Sequence, residues 1–136
     1  MNADKNKVHF SSQRGDWRTP KALYQALDAE FQFDCDPCPT KPKMDGLTSE
    51  WGRVSYINPP YGRSIGKWIV KAYEESKKGK IAVLLVPSRT DTRWWHDYCM
   101  KASEIRFIRG RLHFDDGPVG APFPSAIVIF MGNDDT

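Results

Sequence analysis

The chain has 136 residues and a mass of 15.6 kDa, which is enough for one domain with a modest core. Its hydrophobic content of 40% and charged content of 27% exclude an intrinsically disordered chain, and its net charge of +3 excludes a strongly cationic, histone-like protein. The longest apolar run, Ile81 to Val86, is far too short for a membrane span, and the polar N-terminal stretch does not resemble a signal peptide. We therefore expect a cytoplasmic protein with no membrane partner.

The three cysteines, Cys35, Cys38 and Cys99, are an odd number, which argues against a disulfide framework. The spacing Cys35-x-x-Cys38 is compatible with half of a zinc site. A closed zinc site needs four ligands, however, and the remaining Cys and His residues are scattered along the chain. We therefore predict no metal site.

Residues 1–15 lack hydrophobic periodicity and predict a flexible arm, followed by a single domain over 16–131 and a polar tail over 132–136. Thr19-Pro20 is typical of a helix N-cap with proline at the first helical position. This pair predicts a helix over about 20–29.

The middle of the chain contains two strand patterns and the clearest helix. Apolar alternation predicts a strand over Phe31–Asp36, and a second strand is predicted over Val54–Ile57. Apolar residues then follow helical spacing from Ile65 to Tyr73, and Gly79 suits the position beyond the helix C-terminus.

The second half of the chain alternates in the same way. Ile81–Val86 is continuously apolar, as expected of a strand covered on both faces, and a helix is predicted over about Asp91–Met100. Three further strands are predicted over Ile105–Ile108, Arg111–Phe114 and Ala126–Phe130. Strands that alternate with helices predict an α/β fold with a mostly parallel sheet, whose ligands bind at the carboxyl ends of the strands.

Asn58-Pro59-Pro60-Tyr61 directly follows one of these predicted strands. Prolines donate no N–H, so strand pairing stops there and the following carbonyl oxygens point away from the sheet. Asn58 adds a side-chain oxygen and Tyr61 adds a flat ring, so the four residues can hold a planar amino group, such as the exocyclic amine of a nucleobase. The alternative interpretation is an ordinary stiff turn.

Arginines and aromatic residues are mixed in the second half of the chain, as a surface that binds phosphates and bases requires. The alternative interpretation is a solvated rim around the core. These arginines are Arg89, Arg93, Arg106, Arg109 and Arg111.

Several short motifs occur in order between Asp16 and Phe130. They are Asp16-Trp17-Arg18-Thr19-Pro20, Phe33-Asp34-Cys35-Asp36-Pro37-Cys38, Asp45-Gly46-Leu47 with Trp51, Asn58-Pro59-Pro60-Tyr61, Pro87-x-Arg89-Thr90-Asp91-Thr92-x-Trp94, Arg109-Gly110-Arg111-Leu112-x-Phe114 and Pro122-Phe123-Pro124-Ser125. In this order they resemble the small phage and prophage DNA N6-adenine methyltransferases. The resemblance implies a small, truncated, Rossmann-like class I fold with helices on both faces of the sheet. It also implies S-adenosylmethionine as methyl donor, S-adenosylhomocysteine as product, double-stranded DNA as substrate and no metal.

The resemblance also implies roles for individual residues. In the wider relatives of that family, Asn or Asp followed by Pro-Pro and an aromatic residue holds the target base, and the matching catalytic residues are Asn58, Pro59, Pro60 and Tyr61. The cofactor-binding residues that we predict are Trp17, Thr19, Pro20, Asp36, Pro37, Cys38, Asp45 and Asn58. For Trp17, packing before the first helix is an equally good interpretation. The predicted DNA contacts are Arg63, Arg89, Arg93, Arg109 and Arg111.

The loop after Asp36 departs from many class I methyltransferases, because Pro37-Cys38-Pro39-Thr40 replaces their Gly-x-Gly sequence. The segment from Asp36 to Ser55 is also too short for the usual additional βαβ elements. We therefore expect weak cofactor binding or help from a partner subunit, in a monomer or weak homodimer.

Two other functions fit part of the pattern. The Asn-Pro-Pro-Tyr motif also serves methyltransferases that act on RNA or on protein glutamine amides, and the missing glycine loop would fit a nucleic-acid-binding module with decayed catalysis. The scattered arginines favour DNA. Because the chain has no room for a separate recognition domain, we expect base readout from loops at Gly62–Ser64, Ser88–Arg93 or Asp115–Phe123.

Overall fold

The structure, a computed structural model, describes residues 18–39 and 45–132. The predicted arm over 1–15 lies outside the described residues, as do Trp17 and the predicted tail beyond Gly132. The helices and strands of the described ranges, in chain order, are α1 (Lys21–Phe31), β1 (Val54–Ile57), α2 (Ile65–Ser76), β2 (Ile81–Pro87), α3 (Arg93–Asp97), β3 (Glu104–Phe107) and β4 (Ser125–Met131). Short 3-10 turns occur at Cys99–Lys101 and Phe114–Asp116. None of the helices in these ranges is long and apolar enough to cross a membrane.

The four strands form one mixed sheet in the order β1-β2-β4-β3. β1 pairs in parallel with β2, whereas β4 runs antiparallel to both β2 and β3. The α/β class is confirmed, but the prediction of a mostly parallel sheet is wrong. The reason is the connection between β3 and β4, residues 108–124, which contains no α-helix. Without a crossover helix, the chain returns beside β3 in the opposite direction.

A short extended segment continues the sheet beyond β1. Cys35 forms a parallel bridge with Ser55, and the Tyr56 N–H donates to the Cys35 carbonyl at 3.0 Å. The strand predicted over Phe31–Asp36 is reduced to this single bridge, because its first residue still belongs to α1. The helix ends at Gln32, whose φ of 58° is left-handed and cannot continue an α-helix.

Helices cover both faces of the sheet. On one face, Ile69 of α2 and Trp95 of α3 share a core with Leu84 of β2. On the other face, Leu27 of α1 shares a second core with Val83 of β2. Successive residues of β2 point to opposite faces, and every residue of β2 after the first is buried. The prediction that this strand is covered on both faces is therefore confirmed.

Three local predictions differ from the structure. Arg111–Phe114 is not a strand: it is a loop that leads into the 3-10 turn, because the carbonyl groups of its last three residues accept hydrogen bonds from within the same connection. The helix predicted over Asp91–Met100 is divided into α3 and the 3-10 turn that follows it. Thr19 does not cap α1, because Pro20 occupies the cap position and the Thr19 hydroxyl bonds to the hydroxyl of Tyr56 in β1.

Candidate active site

Residues 58–61, which we call the corner, lie between the carboxyl end of β1 and the start of α2. β1 stays paired with β2 as far as Ile57, and the prolines that follow cannot donate to the ladder. Pro59 is fully buried, whereas Asn58 is half-buried at the border of the core. Gly62 then turns the chain towards α2 with a φ of 130°, which residues with a side chain rarely adopt.

Tyr61 packs in an aromatic cluster with Phe114 and Phe123, which we call the Tyr61 cluster. The Tyr61 ring meets both phenylalanine rings edge-on, with centroid separations of 6.1 and 5.3 Å. The Tyr61 hydroxyl oxygen is buried and has no hydrogen-bond partner among the described residues. Burial raises the pKa of this phenol, so the hydroxyl stays neutral at physiological pH.

Arg89 approaches the Tyr61 cluster from the end of β2. Its guanidinium carbon lies 5.9 Å from the centroid of the Phe123 ring, a distance typical of a cation–π contact. The Ser88 N–H donates to the Pro124 carbonyl at 2.9 Å, which joins the loop after β2 to the connection before β4. The strand next to β1 therefore brings a cation close to the corner.

Asp36 lies at the same edge of the sheet as the corner. The Cys35 segment and β1 run in parallel, so their carboxyl ends meet at one edge, as the sequence predicts for Asp36 and Asn58. The Asp36 carboxylate accepts a hydrogen bond from the Cys38 N–H at 3.1 Å. Desolvation raises the pKa of Asp36, and the bond from Cys38 opposes this shift.

The segment before α1 is held against β1 by a hydrogen bond between the hydroxyls of Thr19 and Tyr56. Tyr56 is buried and lies two residues before Asn58. Burial raises the pKa of Tyr56, and the bond to Thr19 opposes this shift. The Asp116 carboxylate adds a second anchor by accepting from the Lys21 N–H at 3.2 Å. These two contacts place Thr19 near the carboxyl end of β1.

Asp45 and Gly46 close against the loop that follows Asp36. A Cβ at Gly46 would overlap the Pro37 carbonyl oxygen, so glycine alone permits this approach. The Asp45 carboxylate accepts a hydrogen bond from the Leu47 N–H at 2.9 Å and so stabilises the turn that it begins. The structure therefore brings the predicted residues Asp36, Pro37 and Asp45 into one region.

The arginines predicted to contact DNA are all exposed, and none forms an ion pair with a carboxylate of the described residues. They are Arg63, Arg89, Arg93, Arg109 and Arg111. Arg106 differs, because it forms ion pairs at 2.7 Å with both Glu30 and Glu104. These partners raise the pKa of Arg106 and neutralise its charge locally. Arg106 therefore does not belong to the basic surface that the sequence suggests.

No cluster of three or more His, Cys, Asp or Glu that can hold a metal ion occurs in ranges 18–39 and 45–132. Cys35 and Cys38 are half-buried, and Cys99 is buried in the core beside α2. Burial raises the pKa of the Cys99 thiol to about 12, so this thiol is not a nucleophile at neutral pH.

The structure places three residues at this site that sequence reasoning did not name as site residues: Tyr56, Phe114 and Phe123. Phe114 and Phe123 stand within two of the ordered motifs, so the motifs were the available signal. Tyr56 reads as an ordinary strand residue, and only its hydrogen bond to Thr19 connects it to the site.

The similarity to known proteins extends over nearly the whole chain and is not limited to the corner. The profile of the family described as DNA N-6-adenine-methyltransferase (Dam) matches residues 7–129. The chain is also similar to the DNA N-6-adenine-methyltransferase of Haemophilus phage HP1 (strain HP1c1). The two are 28% identical over the aligned region, which covers 84% of this chain and 77% of the phage protein. Because the family profile matches nearly the whole chain, this protein belongs to the DNA N-6-adenine-methyltransferase (Dam) family of enzymes.

Proposed function

We propose that the corner holds an adenine, flipped out of double-stranded DNA, while its N6 amine receives a methyl group from S-adenosylmethionine. Adenine-N6 methylation of DNA is the activity of the family to which the chain belongs. The observation that carries the assignment to these residues is the position of the corner. It stands at the carboxyl end of β1 beside Asp36, where α/β sheets bind their ligands.

Asn58 and the Pro59 carbonyl are the acceptors that we assign to the two hydrogens of the amine. The lone pair of this nitrogen is delocalised into the ring, which makes it a poor nucleophile. Oriented acceptors favour the pyramidal nitrogen of the transition state, because positive charge develops on it as the new bond forms. The nitrogen attacks the methyl carbon, the carbon–sulfur bond breaks, and the amine then loses a proton. No base is needed before attack.

The Tyr61 cluster supplies the surface for the flipped base. Taking a base out of the duplex costs a few kcal/mol, and stacking on one aromatic ring returns roughly 1–3 kcal/mol. The Phe114 and Phe123 rings hold the Tyr61 ring edge-on. The exposed arginines near the corner provide the remaining binding energy through phosphates.

The residues beside the corner suit S-adenosylmethionine, which supplies a reactive methyl group on a sulfonium. Carboxylates are natural acceptors for the ammonium and ribose hydroxyl groups of this molecule, and Asp36 and Asp45 lie together at the same edge as Asn58. We assign the remaining contacts to Trp17, Thr19, Pro20, Pro37 and Cys38.

The fold assignment follows from the same arrangement. A sheet with helices on both faces and its site at parallel strand ends is compatible with a small, truncated, Rossmann-like class I methyltransferase. The described residues between Asp36 and β1 contain no helix or strand, in keeping with the expected truncation. We expect a cytoplasmic monomer or weak homodimer, since its DNA substrate lies in the cytoplasm of a bacterial or phage-infected cell.

A labelling experiment tests the proposed function. The purified chain is incubated with labelled S-adenosylmethionine and unmethylated DNA, RNA or bacterial protein extract, and the digested products are identified. We expect N6-methyladenine in DNA. Label in RNA or protein with none in DNA would instead support the alternative substrates. Failure to bind the cofactor in calorimetry would support a binding module with decayed catalysis.

A further inference from the structure

Val119 stands out on the surface of the β3–β4 connection. It is 76% exposed, more than any other large hydrophobic residue that is exposed in ranges 18–39 and 45–132. Single exposed apolar residues are common and need no explanation by themselves. The surroundings of Val119 are what point to a role.

The loop that carries Val119 is tied at both ends. The Ala121 N–H donates to the Leu112 carbonyl at 2.8 Å, and the His113 ring bonds to the Gly117 carbonyl at 3.0 Å. These bonds fix the two sides of the loop against each other. An apolar side chain at its tip is therefore presented with little loss of conformational entropy on binding.

The same connection forms part of the base site. It contains Phe114 before the Val119 tip and Phe123 after it, and both rings contact Tyr61. The Arg111 guanidinium donates to the Ala121 carbonyl at 3.3 Å, so an exposed cation lies beside the tip. Ala121, two residues after Val119, packs in the same core as Phe114, so the tip lies close in the chain to both the aromatic cluster and a group that attracts phosphate.

We propose that Val119 inserts into the duplex at the place that the flipped adenine leaves. The inference rests on the proposed function, because it needs an adenine held in the corner. Proteins that unstack a base step insert apolar side chains of this kind between the remaining bases. Val119 fills the gap and slows the return of the adenine, while the cation of Arg111 pairs with a neighbouring phosphate.

The test compares Val119→Ala with the unaltered chain on two short DNA duplexes that share one unmethylated target adenine. One duplex is fully paired, and the other has an abasic site opposite the target adenine, so that little flipping energy is needed. We expect Val119→Ala to be about 10-fold slower on the paired duplex, and changed by less than about twofold on the abasic one. Val119→Ile keeps a branched apolar side chain, one methylene larger, and is expected to retain the normal rate on both.

Met100→Ala is the matched control. Met100 is 60% exposed and lies on the 3-10 turn before Ser103, whose hydroxyl accepts from the Met131 N–H opposite Ile81, at the other end of β2 from the corner. It should not change either rate. Equal rates for Val119→Ala and the unaltered chain on the paired duplex would overturn the inference and leave the proposed function standing. An equal loss on both duplexes would also overturn it, because Val119 would then act elsewhere. If the unaltered chain methylated neither duplex, the proposed function itself would fail.

Discussion

Asn58 is the single side chain on which the proposed chemistry depends most. Asn58→Ala removes the side-chain acceptor for the adenine amine and leaves the backbone of the corner in place. We expect turnover to fall by about 100-fold or more with nearly normal cofactor affinity, because the lost interaction forms mainly in the transition state. Steady-state kinetics and calorimetry with S-adenosylmethionine measure the two effects separately.

Asn58→Asp is the matched variant for this experiment, because it keeps an oxygen acceptor at the same place. It should retain much more activity than Asn58→Ala. An unchanged rate in Asn58→Ala would remove Asn58 from the catalytic role, and a large loss of cofactor affinity would place it in the cofactor site instead.

Substitutions of Tyr61 can distinguish the role of its ring from the role of its hydroxyl. Its buried hydroxyl has no partner among the described residues, so Tyr61→Phe breaks no hydrogen bond there. We expect Tyr61→Phe to keep its stability or gain about 1 kcal/mol, with turnover close to normal. Tyr61→Leu lacks the flat ring and should lose about 10-fold in turnover on DNA. Thermal unfolding and kinetics of both variants provide the measurement, and an equal loss in both would assign the effect to the hydroxyl.

At the scale of elements, the sequence predicts what depends on local pattern. The α2 helix was predicted because its apolar residues follow one helical face, and Ile65, Trp68 and Ile69 are indeed buried. β2 was predicted because a continuous apolar run needs cover on both faces. Asp36 and Asn58 were placed at one sheet edge because both follow parallel strand segments.

The local sequence pattern did not predict how strands distant in sequence pair with one another. Apolar alternation does not reveal the direction of β4, which is set by the missing helix between β3 and β4. For the same reason Arg111–Phe114 had the pattern of a strand, although the carbonyl groups of its last three residues accept hydrogen bonds from within the connection between β3 and β4. Tyr56 could not be assigned to the site, because its partner Thr19 lies far away in sequence.

The hydrogen bond between Thr19 and Tyr56 joins the segment before α1 to β1. Tyr56→Phe removes this bond and leaves the buried ring in place. If Thr19 lines the cofactor site, we expect the KM for S-adenosylmethionine to rise about fivefold, as for the loss of one hydrogen bond, with a much smaller change in kcat. Kinetics at varied cofactor concentration provide the measurement.

Thr19→Val and the double variant complete a cycle for this contact. Because both substitutions remove the same bond, the double variant should be little worse than either single one. Thr19→Ser keeps the hydroxyl and should leave the KM for S-adenosylmethionine at its normal value. Additive losses, or a loss in kcat alone, would show that the two hydroxyls do not act through each other.

Across the whole described fold, the largest cluster of ion pairs surrounds Glu75, whose carboxylate pairs with three lysines. Burial alone would raise the pKa of Glu75, but hydrogen bonds from Lys80, Lys71 and Lys78 and from the Trp51 N–H outweigh it and lower the pKa to about 2. The carboxylate is almost fully buried and joins α2 to the start of β2. Three lysines close to Glu75 in sequence and the distant Trp51 N–H thus meet at one acid.

This lowered pKa predicts a specific acid sensitivity. The unfolded glutamate has a pKa of about 4.3, so its contribution to stability is complete above about pH 5 and is lost as the pH falls towards 2. Glu75→Gln should be less stable at pH 7 by about 2 kcal/mol and should lose stability less steeply over this window. Urea unfolding of both chains between pH 7 and pH 3 provides the comparison, and parallel curves would contradict the assignment.

Several exposed arginines without a carboxylate partner in the described ranges lie near the corner. Arg106 and the lysines around Glu75 have carboxylate partners, whereas the exposed Arg89, Arg109 and Arg111 have none among the described residues. We therefore expect this edge to attract the DNA backbone, although the net charge is only +3.

Removing one of these arginines should change how DNA binding depends on salt. Each phosphate contact makes the slope of log affinity against log salt steeper by about 0.9. Arg89→Ala and Arg109→Ala should therefore each reduce the magnitude of this slope by about 1 and weaken binding to all DNA sequences alike. Arg53→Ala is the control, because Arg53 is equally exposed but lies at the other end of β1 from Asn58. Binding titrations of unmethylated duplex DNA at several salt concentrations measure all three slopes. The same loss in Arg53→Ala would mean that DNA responds to total charge, whereas a loss confined to Arg89→Ala and Arg109→Ala places the duplex across the carboxyl ends of β2 and β3.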